Sequence, residues 1–519
     1  MERFFNTTGP CEPGRHFMLP PEARQPGLDR YVKRQLYFSL HAARQTGKTT
    51  MMRAFATRLR ERGVAAVHAT LEAGQGIEDL AHAEWLWLTA IAWAAAPLAP
   101  PLRPPPIEPF LTDAPGRRLQ TWLGAWCEQV APTEVVLLLD EADTVAPGPM
   151  VSLLRQLRGG FSERPQRAPA SVALIGMRDL RDFLLAAKDG VPLNPGSPFN
   201  IKQDSLTLRN FSRADVAALY AQHTADTGQA FTEAAVDAAM EVTRGQPFLV
   251  NALAQHCVDV LVEDRAISIT PEHIQQAREL LIRSRTTHLD ALRWRLEEPR
   301  VRPIIRDILL GEGQVLTDTD DFEYAVDLGL VVRGPDGPEI ANPLYREVIG
   351  RVLTQSLQDN LARPWWPWQS ASGGVDIAAL VEAFLVWWRE NAEFVRRSSR
   401  SAYPEAFPQL AFMAFLQRVV NGGGRVDREY AAGRGRIDLL VSYGEERHAL
   451  ELKRVAPDGP SAQRVEEQGI VQLSAYLETL GLSEGWLIIF DERPGRSWEE
   501  RLWRREVEVK GRVLHLRGA

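Results

Sequence analysis

"HAARQTGKTT", residues 41–50, decides how the first half of the chain is read. It follows a short apolar run, "LYFSLH" (36–41), and precedes "MMRAFATRLRERG", whose apolar residues recur at helical spacing. Strand, loop and helix in that order are the context a phosphate-binding loop requires. The loop Ala42, Ala43, Arg44, Gln45, Thr46, Gly47 points its amides, with the helix N-terminus behind them, at one place where phosphates can be cradled. Lys48 would reach the outer phosphate oxygens, Thr49 would ligate Mg²⁺, and Thr50 completes the motif. Ala42 replaces the first glycine of the pattern, whereas Gly47, Lys48 and Thr49, which touch phosphate directly, are present.

A second segment, "VVLLLDEAD" (135–143), supplies the acids such a loop needs. Asp140 ends an apolar strand and can hold Mg²⁺ through water; Glu141 can orient and polarise an attacking water as a general base. Around these motifs, apolar runs at 36–41, 64–71, 134–140, 171–177 and 204–210 alternate with helical stretches, which predicts a parallel α/β sheet. Beyond residue 210 the pattern becomes helical. From 301 to 354, helices are followed by a hairpin turning at Pro335-Asp336-Gly337, a winged-helix pattern.

With these residues in place, the first half resembles the AAA+-like branch of P-loop ATPases, in particular its signal-transducing members with a helical lid and a winged helix. The resemblance implies ATP and one Mg²⁺ as ligands. It also implies roles for Arg178, at the end of "SVALIGMRD", as a sensor facing the γ-phosphate, and for Pro247 of "RGQPFLVNAL", as a lid proline beside the adenine. The domain reading is a lead-in over 1–33, an ATPase core over 34–210, a helical lid over 211–300, a winged helix over 301–360, a linker over 361–375 and a further α/β domain over 376–519. Trp365, Trp366 and Trp368 of the linker are expected to pack between domains.

That last domain contains "GRGRIDLLVSYGEERHALELKR" (433–454), two apolar strands joined by a polar turn. Each strand carries an acid, Asp438 and Glu451, and Lys453 follows two residues on. With the turn centred on Gly444-Glu445, Asp438 falls opposite position 451 or 452, and alternation puts Lys453 on the same face as Glu451. Two adjacent carboxylates repel, and a hard divalent cation removes that repulsion while activating a water for phosphodiester attack. Lys453 would position the water or neutralise developing charge. The alternative is a solvated hairpin face with a surface ion pair.

Asp438 followed by Glu451-Leu452-Lys453 resembles the PD-(D/E)xK nuclease superfamily, a restriction-endonuclease-like α/β fold, and "VQLSAY" with Gln472 and Tyr476 is similar to the Gln-x-x-x-Tyr helix of its nuclease branches. The lead-in "GRGRID" is similar to that of nuclease-like domains fused to bacterial AAA-like ATPases. The resemblance implies one or two Mg²⁺ held by Asp438 and Glu451, with a further acid from Glu405 or Glu429, between which the sequence does not choose. Nucleic acid is the implied partner, DNA ahead of RNA, in defence or mobile-element biology. Arginines at 396, 397, 400, 428, 434 and 436 lie near enough in sequence to grip phosphates.

Composition bounds the rest. At 519 residues with 45% hydrophobic content the chain is long and apolar enough for several cored domains. A net charge of −7 confines any nucleic-acid site to a local patch. Cys11, Cys127 and Cys257 have no metal or redox spacing, and "MERFFNTTGP" has no signal-peptide pattern, so reduced thiols and a cytoplasmic location are expected. "WLWLTAIAWAAAPLAP" (85–100) is too short for a span and runs into prolines, which predicts a buried helix and no membrane partner. The reading is therefore an ATP-hydrolysing switch joined to a Mg²⁺-dependent nuclease. A nucleotide-controlled binding protein with a silent nuclease fold is the alternative, and a homo-oligomer is left open.

Overall fold

The computed structural model describes residues 2–177, 202–283, 292, 295–296, 298–310, 317–334, 337–350, 374–398, 408, 411–413, 415–416, 425–432, 435–457 and 460–519; of residues 21–22, 202–205, 309–310, 393–398 and 425–437 it describes at most the backbone. The chain divides into two compact units, Met1–His288 with Gln314–Leu344, and Leu289–Gly313 with Tyr345–Ala519. The division passes through the stretch 301–360.

In the first unit, α1 (Pro21–Arg24) and α2 (Leu28–Lys33) precede β1 (Tyr37–His41), α3 (Lys48–Glu61), β2 (Ala65–Thr70), α4 (Leu80–Ala94), α5 (Arg118–Val130), β3 (Val135–Asp140), α6 (Pro147–Gly159), β4 (Ser171–Gly176) and β5 (Lys202–Thr207). The five strands form one sheet in the order β2-β3-β4-β1-β5, all of whose pairings are parallel. Both faces are covered. Val135, Leu137 and Leu139 pack with Trp87, Trp122 and Met150 on one side, while Val136 and Leu138 pack with Met52 and Phe55 of α3 on the other. Burial on both faces is why these strands read as continuous apolar runs. This is a P-loop α/β sheet: the loop at 42–47 leaves the C-terminal end of β1, and Asp140 ends β3 with β4 lying between the two strands.

The helices α7 (Arg213–Thr227), α8 (Glu233–Thr243), α9 (Pro247–His256) and α10 (Pro271–Arg283) follow, begun by side-chain caps such as Ser212, Thr232 and Gln246. The N-terminal segment packs onto them: Phe5 and Phe17 meet Tyr220 and His223, and Arg3 pairs with Asp226 at 2.7 Å. After α11 (Arg302–Leu310), which belongs to the second unit, α12 (Asp320–Asp327) and the hairpin β6 (Val331–Gly334) and β7 (Gly337–Ile340) complete the first.

Of the apolar segment at 85–100, residues 85–94 form the C-terminal part of α4 and the rest lies beyond its end. Trp87, Leu88 and Ile91 are buried against the sheet, whereas Trp85 is exposed and Trp93 is 87% exposed, so the helix is buried on one face only. Among the described residues no helix is long and apolar enough to cross a membrane. The expected linker tryptophans lie outside the described residues.

The second unit is built on a mixed sheet of six strands in the order β12-β13-β11-β10-β9-β8, from β8 (Arg425–Ala432), β9 (Gly435–Tyr443), β10 (Glu446–Val455), β11 (Glu484–Asp491), β12 (Arg504–Val509) and β13 (Arg512–Gly518). Helix α13 (Ile377–Ser398) packs Phe384 and Trp388 on Phe490 of one face. Helix α14 (Ala462–Leu480) covers the other, where Leu440, Ala449, Val455, Leu487 and Ile489 form a core with Leu473, Tyr476 and Leu477. A short helix, α15 (Trp498–Arg501), precedes β12.

Candidate active sites

The phosphate-type loop is held from three directions. Lys48 is buried, and its Nζ donates to the carbonyls of Ala42 (2.7 Å) and Ala43 (3.0 Å). Ala42, where the pattern has glycine, is itself part of the core beneath the loop. Thr46 Oγ1 donates back to Ala43 O at 2.8 Å, and Thr50 Oγ1 accepts from the Cys11 amide at 2.9 Å. Arg44 and Gln45 form the exposed tip. Burial lowers the Lys48 pKa from its ordinary value, opposed by Glu141, Asp140 and Asp143.

Asp140 is almost wholly buried, and donors hold both of its oxygens. Its Oδ2 accepts from Thr49 Oγ1 at 2.7 Å and lies 3.1 Å from His68 Nε2; its Oδ1 accepts from the Glu141 amide at 3.0 Å. Burial would push this carboxyl up, yet the bonds from His68, Thr49 and Glu141 outweigh it and leave the pKa below the ordinary value. Glu141 itself takes a left-handed backbone, φ 54°, a conformation unusual for a non-glycine residue and frequent where side chains are aimed for function. Burial first, then the charge of Asp140, raise its pKa. Asp143 closes the segment: its Oδ2 accepts from the Met177 amide at 3.0 Å, and its Oδ1 is buried with no hydrogen-bond partner.

The helices that follow the sheet reach the loop through Gly245-Gln246-Pro247. Gly245 has φ 72°, and a Cβ there would stand 1.9 Å from Phe211 O, so no other residue fits. Gln246 caps α9 through the Leu249 amide and donates Nε2 to Gln45 O at 3.4 Å, which places Pro247 at the first turn of α9 beside the loop. Arg178 lies outside the described residues.

Two residues were invisible to sequence reasoning. Arg24, in the stretch read as a lead-in, is buried behind the loop, donating Nη2 to Thr46 O (2.8 Å) and Arg209 O (3.1 Å), with its guanidinium 4.6 Å from the Phe211 ring centroid. His68 is the other; the only hint was one imidazole in the otherwise apolar run "VAAVHATL".

In the second unit the β9/β10 hairpin turns at Gly444-Glu445, with Tyr443 opposite Glu446 and Leu439 opposite Leu450. The next step of that register sets Asp438 opposite Glu451, and the Leu452 amide donates to Asp438 Oδ2 at 2.8 Å. Leu440, Ala449 and Val455 all belong to the core under α14, so Asp438, Glu451 and Lys453, each an even number of residues away, face α14 together. Glu451 is 1% exposed; its Oε1 accepts from Lys453 Nζ at 2.8 Å, and its Oε2 is buried with no hydrogen-bond partner.

Burial, together with the neighbouring Asp438, pushes the Glu451 pKa up to about 8, against the pull of Lys453. Burial lowers the Lys453 pKa, but Glu451 and Asp438 outweigh it and leave it raised. From α14, Tyr476 is buried near Lys453, whereas Gln472, one turn earlier, is exposed. Glu405 lies outside the described residues, and of Glu429 only the strand position in β8 is described. The side chains of Arg396, Arg397, Arg428 and Arg436, and all of Arg400 and Arg434, are likewise undescribed.

Among the described residues no cluster of three or more His, Cys, Asp or Glu side chains could hold a metal. The donor set here is the pair Asp438 and Glu451. A pair fits Mg²⁺, which often takes one or two carboxylates and keeps several waters, and the orphaned Oε2 is the buried polar atom such an ion would satisfy.

No protein-family model and no curated protein matches the chain. Among solved structures it is similar to a Walker-type ATPase of Pyrococcus abyssi, at 16% identity over 66% of this chain and 99% of that one, TM-score 0.48. It is also similar to RuvB, the Holliday junction branch migration motor of Thermotoga maritima, at 15% identity over 62% and 91%, TM-score 0.34. A third similarity is to Cdc6p of Pyrobaculum aerophilum, at 14% identity over 64% and 96%, TM-score 0.33.

Proposed function

We propose that the chain is an ATP-hydrolysing P-loop protein of the AAA+-like, signal-transducing kind whose second unit cleaves nucleic-acid phosphodiesters as a PD-(D/E)xK nuclease. The observation that carries the nuclease reading is the placement of Asp438 and Glu451 one register step past the Leu439–Leu450 pair, on one face, with Glu451 Oε2 buried and unpartnered. A solvated hairpin face does not bury a carboxylate to 1% exposure.

At the nucleotide site, phosphates entering the loop take the amides of 43–48, and Lys48 exchanges the Ala42 and Ala43 carbonyls for phosphate oxygens. Glu141 accepts the proton of a water whose oxygen bonds to the γ-phosphorus, and the bond from that phosphorus to ADP breaks. Its raised pKa makes it a better base than an ordinary carboxylate. Thr49 and Asp140 are the residues that would hold the accompanying Mg²⁺.

At the second site Asp438 and Glu451 would hold Mg²⁺, which when bound supplies Lewis-acid charge and a water of lowered pKa. Lys453 places a positive charge beside the phosphate as negative charge grows on its oxygens, and Tyr476 flanks the amine. The substrate class is DNA ahead of RNA.

The test is cleavage of plasmid, linear DNA and RNA with Mg²⁺, with and without ATP, by the full chain and by D438A. Cleavage by the wild type and none by D438A supports the reading. Intact substrates in every lane, with ATP still bound, leave a nucleotide-controlled binding protein in its place.

A further inference from the structure

We propose that His68 is a positioning residue of the nucleotide site, holding the Asp140 carboxylate in the orientation that serves the Mg²⁺ arriving with ATP. The inference rests on the ATPase reading above and adds to it a residue outside the loop and acid motifs.

The placement follows from the sheet. Strand β2 lies beside β3 in parallel register, with His68 opposite Leu138 and Thr70 opposite Asp140. Ala65, Val67 and Ala69 face the core under α4 to α6, while Ala66 faces α3. By alternation His68 therefore faces α3, as do Val136, Leu138 and Asp140, and α3 is the helix that carries Thr49. The His68 side chain is 8% exposed, and its Nε2 lies 3.1 Å from Asp140 Oδ2, the oxygen that also accepts from Thr49 Oγ1.

An ionised carboxylate is acceptor-only, so the bond requires Nε2–H on the imidazole. With Glu141 N–H on Oδ1 and two donors on Oδ2, the carboxylate can neither rotate nor swing. Without His68, Oδ2 keeps one donor, on a side chain that is itself expected to turn toward the ion. Residues that orient a metal-holding carboxylate typically change metal affinity or activity about 10- to 100-fold when removed.

The experiment compares binding of a fluorescent ATP analogue to the full chain in EDTA and in Mg²⁺. H68F keeps the ring volume and loses the donor. H68Q places an amide nitrogen where Nε2 stands, and H68N places one where Nδ1 stands, too short to reach Asp140. The expected result is that H68F and H68N lose about tenfold or more of the affinity gained on adding Mg²⁺, with affinity in EDTA unchanged, and that H68Q regains most of it. In EDTA without nucleotide, the thermal-midpoint losses of H68F and D140N are expected to be less than additive in the double variant.

A wild-type Mg²⁺ gain in H68F or H68N overturns the proposal, as does an equal loss in EDTA and Mg²⁺, which marks a merely structural histidine. Should H68F not fold, H68N and H68Q decide by the same comparison. A wild type that binds no ATP analogue sinks the ATPase reading itself and is seen before any variant is made.

Discussion

Lys453 and Glu451 form an ion pair of 2.8 Å on β10, and the pair satisfies only one of the two carboxylate oxygens. Glu451 is thus a buried acid with one oxygen, Oε2, left without a hydrogen-bond partner. Replacing Lys453 by Met removes the group that draws the Glu451 pKa down, so the buried acid keeps its proton to higher pH still. The expected cost near neutral pH is about 1–3 kcal/mol in chemical denaturation, the cost of a lost buried hydrogen bond, because the acid left behind is held neutral. Cleavage is expected to vanish at every Mg²⁺ concentration, while ATP turnover stays.

The same carboxylate gives the second unit a pH dependence of definite sign. Its folded pKa, about 8, lies above the ordinary value of 4.5, so the folded state holds a proton that the unfolded state has released. The resulting stability is complete below pH 4.5 and is lost as pH rises toward 8, with a slope of at most about 1.4 kcal/mol per pH unit. Metal-free unfolding midpoints between pH 5 and 8 should therefore fall with pH in the wild type and stay flatter in E451Q. An equal slope in both proteins rejects this assignment.

Much of this arrangement was legible in the chain. The four strands β1 to β4 are apolar runs because both sheet faces are covered, and the hairpin register followed from a two-residue turn at Gly444-Glu445. The fifth strand sits at Lys202–Thr207 rather than 204–210, since an edge strand with Lys, Gln, Asp and Ser has little apolar signal to fix its ends. His68 and Arg24 were not legible. Their partners lie 72 and 22 residues away, and no local pattern records a hydrogen bond made across a sheet or behind a loop.

Gly469 of α14 tests how closely the helix must approach the carboxylate pair. A Cβ there would stand 2.8 Å from Leu487 Cδ1 and 3.3 Å from Lys453 Cγ. Gly469→Ala is expected to cost about 1–3 kcal/mol as an overpacked site and to lower cleavage by shifting the Lys453 stem. L487V in the same chain removes the tighter clash and should recover stability. Thermal unfolding and cleavage rates measured on the single and double variants give both readouts.

Glu141→Gln removes the carboxylate proposed as the base and leaves the loop, Lys48, Thr49 and Asp140 in place. ATP affinity is expected to stay within about twofold, and the hydrolysis rate to fall about 10²- to 10⁴-fold, the range for a positioned general base. Single-turnover hydrolysis beside equilibrium binding separates the two effects. Loss of binding instead would mean that Glu141 shapes the loop through its left-handed backbone rather than acting on water.

Arg24 carries the last prediction, because it ties the loop to the segment leading into α7. One Nη2 bonds both Thr46 O and Arg209 O, the guanidinium stacks on Phe211, and the Phe211 amide donates to Gly245 O at 2.8 Å. Burial brings its pKa down to about 10, so it stays charged near neutrality and its carbonyl contacts are charge-assisted. Arg24→Met keeps the apolar stem and leaves two carbonyls without this donor, an expected loss of about 3–6 kcal/mol for two such bonds. Arg24→Lys keeps the charge but not the planar fork. If Arg24 serves only the core, R24K and R24M lower the thermal midpoint and leave the KM for ATP alone. If it sets the loop against the helices that follow the sheet, R24K raises that KM severalfold even where its midpoint is near wild type, and nucleotide then stabilises the variant less than the wild type.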